Sequence, residues 1–390
     1  MSTKQIFIKA KWASLIAISA PMIMWVFLLG HIPIIYENLN LSETSWGVFL
    51  LIFGAMQILS GQIFSRLVTP RYGTKLMICF GVLILSISFL GIIFVNRYET
   101  FLLIAVFFGL SMGLIMPSAN SHLALIEEKT NQVLQPIFWA SMSLGAVIGT
   151  FLSIYLLNLK FSINNSFPII FIIGIIITIL VYYLGLPKDE DYFGRSEKFS
   201  LPDKKVIIFG IILFFEFATV GIIMEWSPLW IINNLNAPLF LGALVLIAFH
   251  AGEIPSRIFG AHLIKFFGEL RIGFHLVIIG CFCLFFAIIT MNYIIIAVAA
   301  FIFGFATGNT NPIVISQAIK STSENIPTTI ANLMTLAFSG LMIGPGIVGL
   351  TAKYMGMTFN MYMLPIIWGM CAIIFPVSYT HLRAHETFGY

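Results

Sequence analysis

The sequence has few charged residues and is rich in apolar ones. Charged residues make up 9% of its 390 residues, whereas hydrophobic residues make up 59%, and the mean hydropathy is +1.00. A soluble core does not need this much apolar sequence, so the composition indicates an integral membrane protein. Its apolar runs are continuous, as in FPIIFIIGIIITILVYYL, which predicts membrane-spanning helices and not the alternating strands of a barrel.

Several motifs are missing, and their absence narrows the function classes. There is no G-x-x-x-x-G-K-[ST] loop, which excludes an ATP-driven pump within this chain. There is no H-E-x-x-H, no G-x-S-x-G and no ligand-spaced Cys/His cluster, so neither catalytic residues nor a metal site are predicted. The four cysteines lie in apolar runs, where core packing is expected. No basic patch interleaved with aromatics indicates nucleic-acid binding.

Twelve apolar segments are long enough to cross a bilayer as helices. The predicted spans are 12 to 36, 44 to 66, 75 to 95, 99 to 124, 133 to 157, 166 to 186, 206 to 232, 238 to 263, 271 to 290, 293 to 318, 326 to 351 and 358 to 376. The expected fold is therefore an all-α integral membrane protein. Its domains are a six-helix bundle at 1–186, a linker at 187–205 and a second six-helix bundle at 206–376.

The linker, PKDEDYFGRSEKFSLPDKK, is the only long charged stretch in the chain. Its acidic and basic residues balance, which predicts a solvated strap without a site of its own. Basic residues are concentrated on the side of the membrane that carries the N-terminus and this linker, fifteen against three. By the positive-inside rule, both are expected in the cytoplasm.

The two halves repeat at an offset of 195 residues. GLSMGLIMPSANSH, which starts at Gly109, aligns with GFATGNTNPIVISQ, which starts at Gly304. At the same offset, Gly145 and Gly149 of the fifth span meet glycines of the eleventh span, and Gly73 meets Gly268 in the loops after spans two and eight. A single offset across three pairs of elements indicates a duplicated six-helix unit in parallel orientation. The glycines are interpreted as positions of close helix packing.

Twelve spans, a long middle loop, the repeat and these loops resemble the major facilitator superfamily over nearly the whole chain. The family's loop motif is G-x-x-x-D-R-x-G-R-R/K. This sequence keeps Arg71, Gly73 and Lys75 but has Pro70 at the aspartate, and the second copy keeps chiefly Gly268. The resemblance implies a gating role for these four retained residues. Without the aspartate, the acidic latch that the family places there is not expected.

A narrower resemblance is carried by NSHLALIEE, FWASMSLGAVIG and EWSPLWIINNLNAP. These stretches are similar to a bacterial branch that includes rhizopine-transport-like permeases.

The last residues, 377–390, do not look like natural sequence. They break abruptly from the last apolar run and match a reading frame through a sequencing adapter. We expect 377–390 to be a non-native scar, and no function is assigned to it.

Ionisable residues inside the spans are functional candidates, because each costs about 2.5 to 3.5 kcal/mol or more to insert. The proton-coupling candidates are Glu216, Glu225, His250, Glu253 and Arg257. His250, Glu253 and Arg257 share one helix face at i, i+3 and i+7, which fits either a charge relay or a self-neutralised structural pair. Glu216 has no basic neighbour one turn away, so it is the best candidate for binding a proton, although a permanently protonated carboxyl would also fit.

Other polar residues are candidates to line a substrate cavity. In the fold that the resemblance implies, spans one, four, seven and ten surround that cavity. The candidates are His31, Asn120, Ser121, Glu225, Trp226, Thr307, Asn309 and Asn311. Hydrogen bonding between packed helices is the alternative interpretation of the serine, threonine and asparagine residues. An interfacial position is the alternative for His31, and also for Glu225 beside a belt tryptophan.

The predicted function is secondary active transport of a small polar or sugar-like solute by alternating access. A proton gradient is the expected driving force, no cofactor is expected, and the partners are the lipid bilayer and the solute. We expect a monomer in a bacterial cytoplasmic membrane. Two alternatives stay open at this point: an exporter of amphiphilic drug-like compounds, and a non-transporting sensor or scaffold with the same fold.

Overall fold

The computed structural model describes residues 3–132, 134–191, 203–322 and 326–387. The chain divides into two compact units, each of which is described by itself. The first comprises Met1–Glu197 with Leu239–Ala243, and the second comprises Lys198–Pro238 with Leu244–Tyr390. Much of the predicted linker, 192–202, lies outside the described residues, as do 388–390 of the predicted scar.

The first unit is built from apolar helices joined by short turns. They are α1 (Thr3–Asn38), α2 (Glu43–Ile63), α3 (Thr69–Tyr72), α4 (Thr74–Ile92), α5 (Tyr98–Thr130), α6 (Gln135–Asn158) and α7 (Ile163–Leu184). A π-helical turn, Phe64–Val68, joins α2 to α3. The principal packing partners are α1 with α6, α2 with α5, and α4 with both α5 and α7.

The second unit repeats this order of long helices. Its helices are α8 (Lys204–Leu235), α9 (Leu244–Ile258), α10 (Gly260–Phe267), α11 (Val277–Ile289), α12 (Tyr293–Thr307), α13 (Thr310–Ser321), α14 (Ile326–Met355) and α15 (Met357–Thr387). A π-helical segment, Arg271–Leu276, precedes α11. The principal packing partners are α8 with α14, and α9 with α12.

The described residues include eleven helices that are long and apolar enough to cross a membrane, together with one shorter apolar stretch, Met357–Ile373. These correspond one for one to the twelve predicted spans. Their ends shift by several residues, mainly because the helices continue beyond the apolar window into the flanking polar residues. The all-helical membrane architecture predicted from the sequence is confirmed.

The repeat is visible in how the helices pack. Each of four matched glycines allows the backbone of a neighbouring helix to approach, since an added Cβ would lie within 3 Å of it. The pairs are Gly145 with Ser19, Gly149 with Ile23, Gly340 with Phe214, and Gly344 with Ala218. The two positions of each pair in the first unit correspond, at an offset of 195, to two paired positions in the second, although only the glycine is the same residue in both. The packing interpretation of these glycines is therefore supported by direct contacts.

The repeat breaks at one element. Span four is a single helix, α5, which runs without interruption through Gly113 and Pro117. The matching span ten is interrupted at Gly308 and Asn309, which separate α12 from α13. Gly113 and Gly308 are equivalent in the sequence alignment, so the sequence pattern alone did not predict which span would break. The interruption leaves backbone groups near the middle of span ten that can bind side chains.

The start of the linker corrects the prediction of a solvated strap. Asp191 is 6% exposed and accepts hydrogen bonds from the backbone N–H groups of Thr74 and Lys75, both at 2.9 Å. The Thr74 hydroxyl donates to the same carboxyl. Asp191 therefore caps the N-terminus of α4, because the first N–H groups of a helix have no partner within it. Charge balance predicted solvation, but the hydrogen bonds from the N-terminus of α4 compensate the Asp191 carboxyl for the water that it loses on burial.

Candidate functional site in the second unit

A buried ionic cluster lies on one face of α9. Glu253 accepts from His250 Nδ1 at 2.8 Å through Oε2, and from the Arg257 guanidinium at 2.6 Å through Oε1. His250 and Glu253 are 1% and 3% exposed. The i, i+3, i+7 spacing in the sequence predicted that these side chains would share a face, and the structure brings them into contact. Because a carboxylate can only accept, the bond from His250 places a proton on Nδ1.

The interruption of span ten faces this cluster. Arg257 Nε donates to the carbonyl oxygen of Gly308 at 3.4 Å, which is one of the backbone groups released by the break. The side-chain amide of Asn309 donates to Ser256 on α9, to its carbonyl oxygen at 2.6 Å and its hydroxyl at 2.9 Å. Side chains on both sides thus fix the broken segment against α9. Asn309 acts here in contact between helices, the alternative that the sequence left open.

Glu216 approaches the same break from α8. It is 6% exposed, and its carboxyl accepts from the backbone N–H of Asn311 in the first turn of α13. The charges of Arg257 and Glu253 both act on it. Its Oε2 atom has no hydrogen-bond partner among the described residues. The second unit therefore brings together four of the five predicted proton-coupling residues: Glu216, His250, Glu253 and Arg257.

Other buried polar atoms in this region also lack partners within the described part of the chain. They are His250 Nε2, Thr310 Oγ1 and Asn311 Oδ1. A buried polar group without a hydrogen bond is costly, so such a concentration points to a site that binds water, a proton or a polar solute. The cluster also holds two carboxyl groups, Glu216 and Glu253, against one guanidinium. If both carboxyls were ionised, one buried negative charge would be uncompensated, which favours the uptake of a proton.

Glu225 and Trp226 lie apart from this cluster. They are nine and ten residues beyond Glu216 on α8, a rise of roughly 14 Å along the helix axis. Both are buried, and the indole N–H of Trp226 donates to the carbonyl oxygen of Pro345 on α14 at 2.9 Å. The structure therefore places Glu225 inside the unit, where the sequence also allowed an interfacial position.

Three cavity candidates make hydrogen bonds to the backbone of their own helix. Asn120 donates to Met116 at 3.0 Å, and Thr307 donates to Phe303 at 2.9 Å. His31 Nδ1 lies 3.1 Å from the carbonyl oxygen of Phe27. Ser121, also predicted as a cavity residue, is half-buried. Each of these three side chains therefore uses part of its hydrogen-bonding capacity on the backbone of its own helix.

His31 lies inside the first unit and not on its surface. It is completely buried in the first unit, and its Nδ1 also lies 3.0 Å from the hydroxyl of Ser153 on α6. The Phe167 ring packs edge-on against the imidazole at 5.5 Å between ring centroids. His31 is seven residues before the end of α1 at Asn38, and its interfacial depth stays a prediction.

The loops after spans two and eight share an unusual backbone. Gly73 has φ +85° and Gly268 has φ +82°, a region that favours glycine. A Cβ at Gly73 would collide with Asp191, whereas one at Gly268 would meet open space. Burial raises the pKa of Asp191, and its hydrogen bonds from Thr74 and Lys75 oppose that shift. The gating role of Arg71, Gly73, Lys75 and Gly268 stays a prediction.

Two residues of the first unit anchor the start of the linker, a role that sequence reasoning did not assign to them. Asp191 is one, and His122 on α5 is the other. His122 is completely buried, with Nδ1 2.7 Å from the hydroxyl of Ser14 and Nε2 accepting from the backbone N–H of Leu186 at 3.1 Å. Both ring nitrogens are therefore in use. No sequence spacing connects His122 with its partners, because Leu186 and Ser14 lie 64 and 108 positions away from it.

Two units of apolar helices, with a buried polar cluster in one of them, define a multi-pass helical membrane protein. The family model of the Major Facilitator Superfamily matches residues 13–345. The chain belongs to this superfamily. It is accordingly a multi-pass membrane transporter for a small-molecule substrate and not an enzyme, as the sequence predicted.

Relatives with similar sequences cover most of the chain. An uncharacterized MFS-type transporter of Yersinia pestis is 21% identical over 332 residues, 83% of each chain. The membrane protein MosC of Rhizobium meliloti is 24% identical over 339 residues, 85% of this chain and 80% of the relative. The narrower resemblance to rhizopine-transport-like permeases stays a prediction.

Solved structures support the fold. The nucleoside transporter NupG superimposes with a TM-score of 0.73 at 12% identity, over 96% of this chain and 99% of that one. A D-xylose-proton symporter gives a TM-score of 0.72 at 13% identity, over 94% and 96%. At these identities the likeness concerns the fold alone.

Proposed function

We propose that the protein couples the movement of a small polar solute to a proton gradient by alternating access, and that Glu216 carries the exchangeable proton. The observation that carries the proposal is the position of Glu216. It is a buried carboxyl with one unpartnered oxygen, next to a cluster in which a second carboxyl already uses the available guanidinium. A carboxyl in this position is neutral when it holds a proton and leaves a buried charge when it does not.

The division of roles within the cluster follows from the contacts. Both oxygens of Glu253 are engaged, by His250 and by Arg257, so its ionised form is stabilised. Glu216 accepts from Asn311 at the N-terminus of α13. The charges of Glu253 and Arg257 act on the Glu216 carboxyl in opposite directions. We therefore assign Glu253 and Arg257 to a fixed pair and Glu216 to the titrating group. His250 Nε2 is a second buried polar atom of the cluster without a hydrogen-bond partner among the described residues.

The break in span ten supports a solute site beside the proton site. Interrupted helices expose backbone groups near the middle of a span, and in membrane transporters such groups bind substrates and ions. Thr310 and Asn311 each present a buried side-chain oxygen without a partner in the described structure. Oxygen acceptors suit a solute rich in hydroxyl groups. This chemistry favours the sugar-like solute over the amphiphilic drug-like one.

The proposal also covers the oligomeric state, the membrane and the orientation of the chain in it. We propose a monomer in a bacterial cytoplasmic membrane, with the N-terminus and linker in the cytoplasm, as the charge distribution indicates. No cofactor is required, because the proton gradient supplies the driving force. A sensor or scaffold role is favoured only by the altered loop motif, in which Pro70 stands at the position of the aspartate.

The test begins with a thermal-shift screen of the purified protein against pentoses, hexoses and nucleosides, the solute classes suggested by the structural neighbours. Any stabilising solute is then offered to proteoliposomes loaded with a pH-sensitive dye. Proton coupling predicts a change of internal pH on solute addition, and faster uptake when a pH gradient of matching direction is imposed. Uptake at equal rates with and without the gradient, and no pH change, would contradict it.

A further inference from the structure

A cavity of about 270 Å³ lies at one end of the first unit, where α4 begins and α7 ends. Its lining includes three basic side chains, Arg71, Lys75 and Lys188, and one acidic side chain, Asp191. The cavity is separate from the ionic cluster of the second unit. Three cations against one carboxylate give it a positive balance, which suits an anionic ligand.

The acidic group in the lining is already occupied. The Asp191 carboxyl accepts the N–H groups of Thr74 and Lys75 and the Thr74 hydroxyl. It thereby fills the N-terminus of α4, so an anion in the cavity would have to be held by side chains and not by the helix end. It also holds the Gly73 turn in place, and this turn forms one wall of the cavity.

The basic groups are less constrained. Lys75 is half-buried, and its Nζ lies 5.6 Å from the centre of the Tyr182 ring, a cation–π distance. Arg71 and Lys188 are exposed, and neither forms an ion pair within the described residues. Two cations at the mouth and one inside are therefore available to a ligand.

The surroundings favour a lipid as the source of that ligand. The cavity lies at the ends of two membrane spans, Thr74–Ile92 and Ile163–Leu184. Large aromatic side chains beside it are exposed: Tyr72 at 58%, Tyr182 at 52% and Tyr183 at 77%. Tyrosines at the end of a span are typical of the headgroup level of a bilayer, and basic residues there attract anionic headgroups.

We infer that this cavity binds the phosphate of an anionic phospholipid, with Arg71, Lys75 and Lys188 as its ligands. The phosphate oxygens accept from the guanidinium and the two ammonium groups, while the acyl chains lie along the apolar outer surface of α4 and α7. Such a lipid would join the Gly73 turn to the first residues of the linker, Pro187–Asp191. This inference is independent of the proposed proton coupling.

The experiment measures binding of a fluorescent short-chain phosphatidylglycerol to the delipidated protein in neutral detergent. Arg71→Gln and Lys188→Gln are each expected to weaken binding about fivefold, and together about 25-fold, since a basic residue near a membrane surface contributes on the order of 1 kcal/mol. Lys265→Gln is the matched control, because Lys265 is an exposed lysine just before Gly268 in the corresponding loop of the second unit. It should leave binding unchanged.

Two further arms decide the source and chemistry of the ligand. Phosphatidylcholine should bind at least tenfold more weakly than phosphatidylglycerol, and binding of phosphatidylglycerol should weaken as salt is raised. Equal loss in the Lys265 control, or equal binding of both lipids, would overturn the inference. So would displacement of the lipid by millimolar inorganic phosphate, which would identify a site for the free anion. Size-exclusion profiles and thermal midpoints of all variants establish that they are folded.

Discussion

The two units share a fold and a repeat, but they bury different chemistry. The buried ionisable side chains in the described helices of the first unit are two histidines, His31 and His122. Those of the second unit are three glutamates and a histidine. The first unit uses its groups for internal contacts, above all at the linker. The second concentrates charge beside a broken helix, which teaches that two copies of one scaffold can bury different polar groups.

The difference can be traced to individual positions. Gly113 and Gly308 are equivalent in sequence, yet α5 is continuous and span ten is not. In the second unit, Asn309 follows the glycine and bonds to Ser256, and Arg257 takes the Gly308 carbonyl. In the first unit, the Gly113 position is filled by the close approach of Ser60 and Gln57 on α2. A side chain of the neighbouring helix also bonds the backbone of the unbroken span, since the Ser60 hydroxyl on α2 donates to the Gly109 carbonyl oxygen on α5 at 3.3 Å.

The largest effect is expected from removing the fixed cation of the cluster. Arg257→Gln leaves the Glu253 carboxylate buried without its counter-ion, a change that costs about 3 to 5 kcal/mol of folding stability. The readout is the thermal midpoint in detergent. The matched control is Lys320→Gln, which breaks the exposed 3.5 Å pair with Glu269 and should cost less than about 1 kcal/mol.

A double variant tests the reason for that loss. If an uncompensated charge is the cause, Glu253→Gln combined with Arg257→Gln should recover much of the stability lost in the single variant. A double variant as unstable as Arg257→Gln alone would show that packing of the long side chain, and not charge, is what matters.

An intermediate effect is expected at the two matched loop glycines. Gly73→Ala and Gly268→Ala both place an L side chain at positive φ, which costs about 1 to 3 kcal/mol. Only Gly73→Ala also pushes against the Asp191 carboxyl, where the Cβ would lie 2.5 Å from Oδ2. We therefore expect the larger drop in thermal midpoint for Gly73→Ala. Equal drops in thermal midpoint would mean that the contact of Gly73 with the Asp191 carboxyl adds nothing to the cost of a side chain at positive φ.

The smallest effect is expected at two asparagines of the matched spans. Asn309→Ala removes hydrogen bonds between span ten and α9, and we expect a loss of about 1 to 2 kcal/mol. Asn120→Ala removes one bond within α5, so we expect about 0.5 kcal/mol or less. Thermal midpoints of the two variants, measured side by side, give the comparison. A greater loss at Asn120 would contradict the assignment of the structural break to the second unit.

Much of this organisation could be predicted from the sequence, because it rests on local patterns. Apolar runs of membrane length predicted the spans, and the 195-residue offset predicted the glycine contacts that the two units share. The helical spacing of His250, Glu253 and Arg257 placed them on one face of α9. Each of these inferences needs only the geometry of a single helix or a simple repeat.

The rest depends on contacts between residues far apart in the chain. Asp191 reaches α4 from more than 100 residues away, and neither its charge nor its neighbours in the linker reveal that contact. The meeting of Glu216 with Asn311 depends on how α8 and α13 pack. Tertiary packing sets these features, and a single sequence does not record it.

The most direct test of the central claim is solute transport by Glu216→Gln. Glutamine keeps the shape of a protonated glutamate but does not titrate. The variant should lose accumulation driven by a pH gradient while retaining exchange of labelled for unlabelled solute at equal concentration on both sides. Glu269→Gln, outside the cluster, should retain both. Gradient-driven accumulation by Glu216→Gln at the wild-type level would contradict the account.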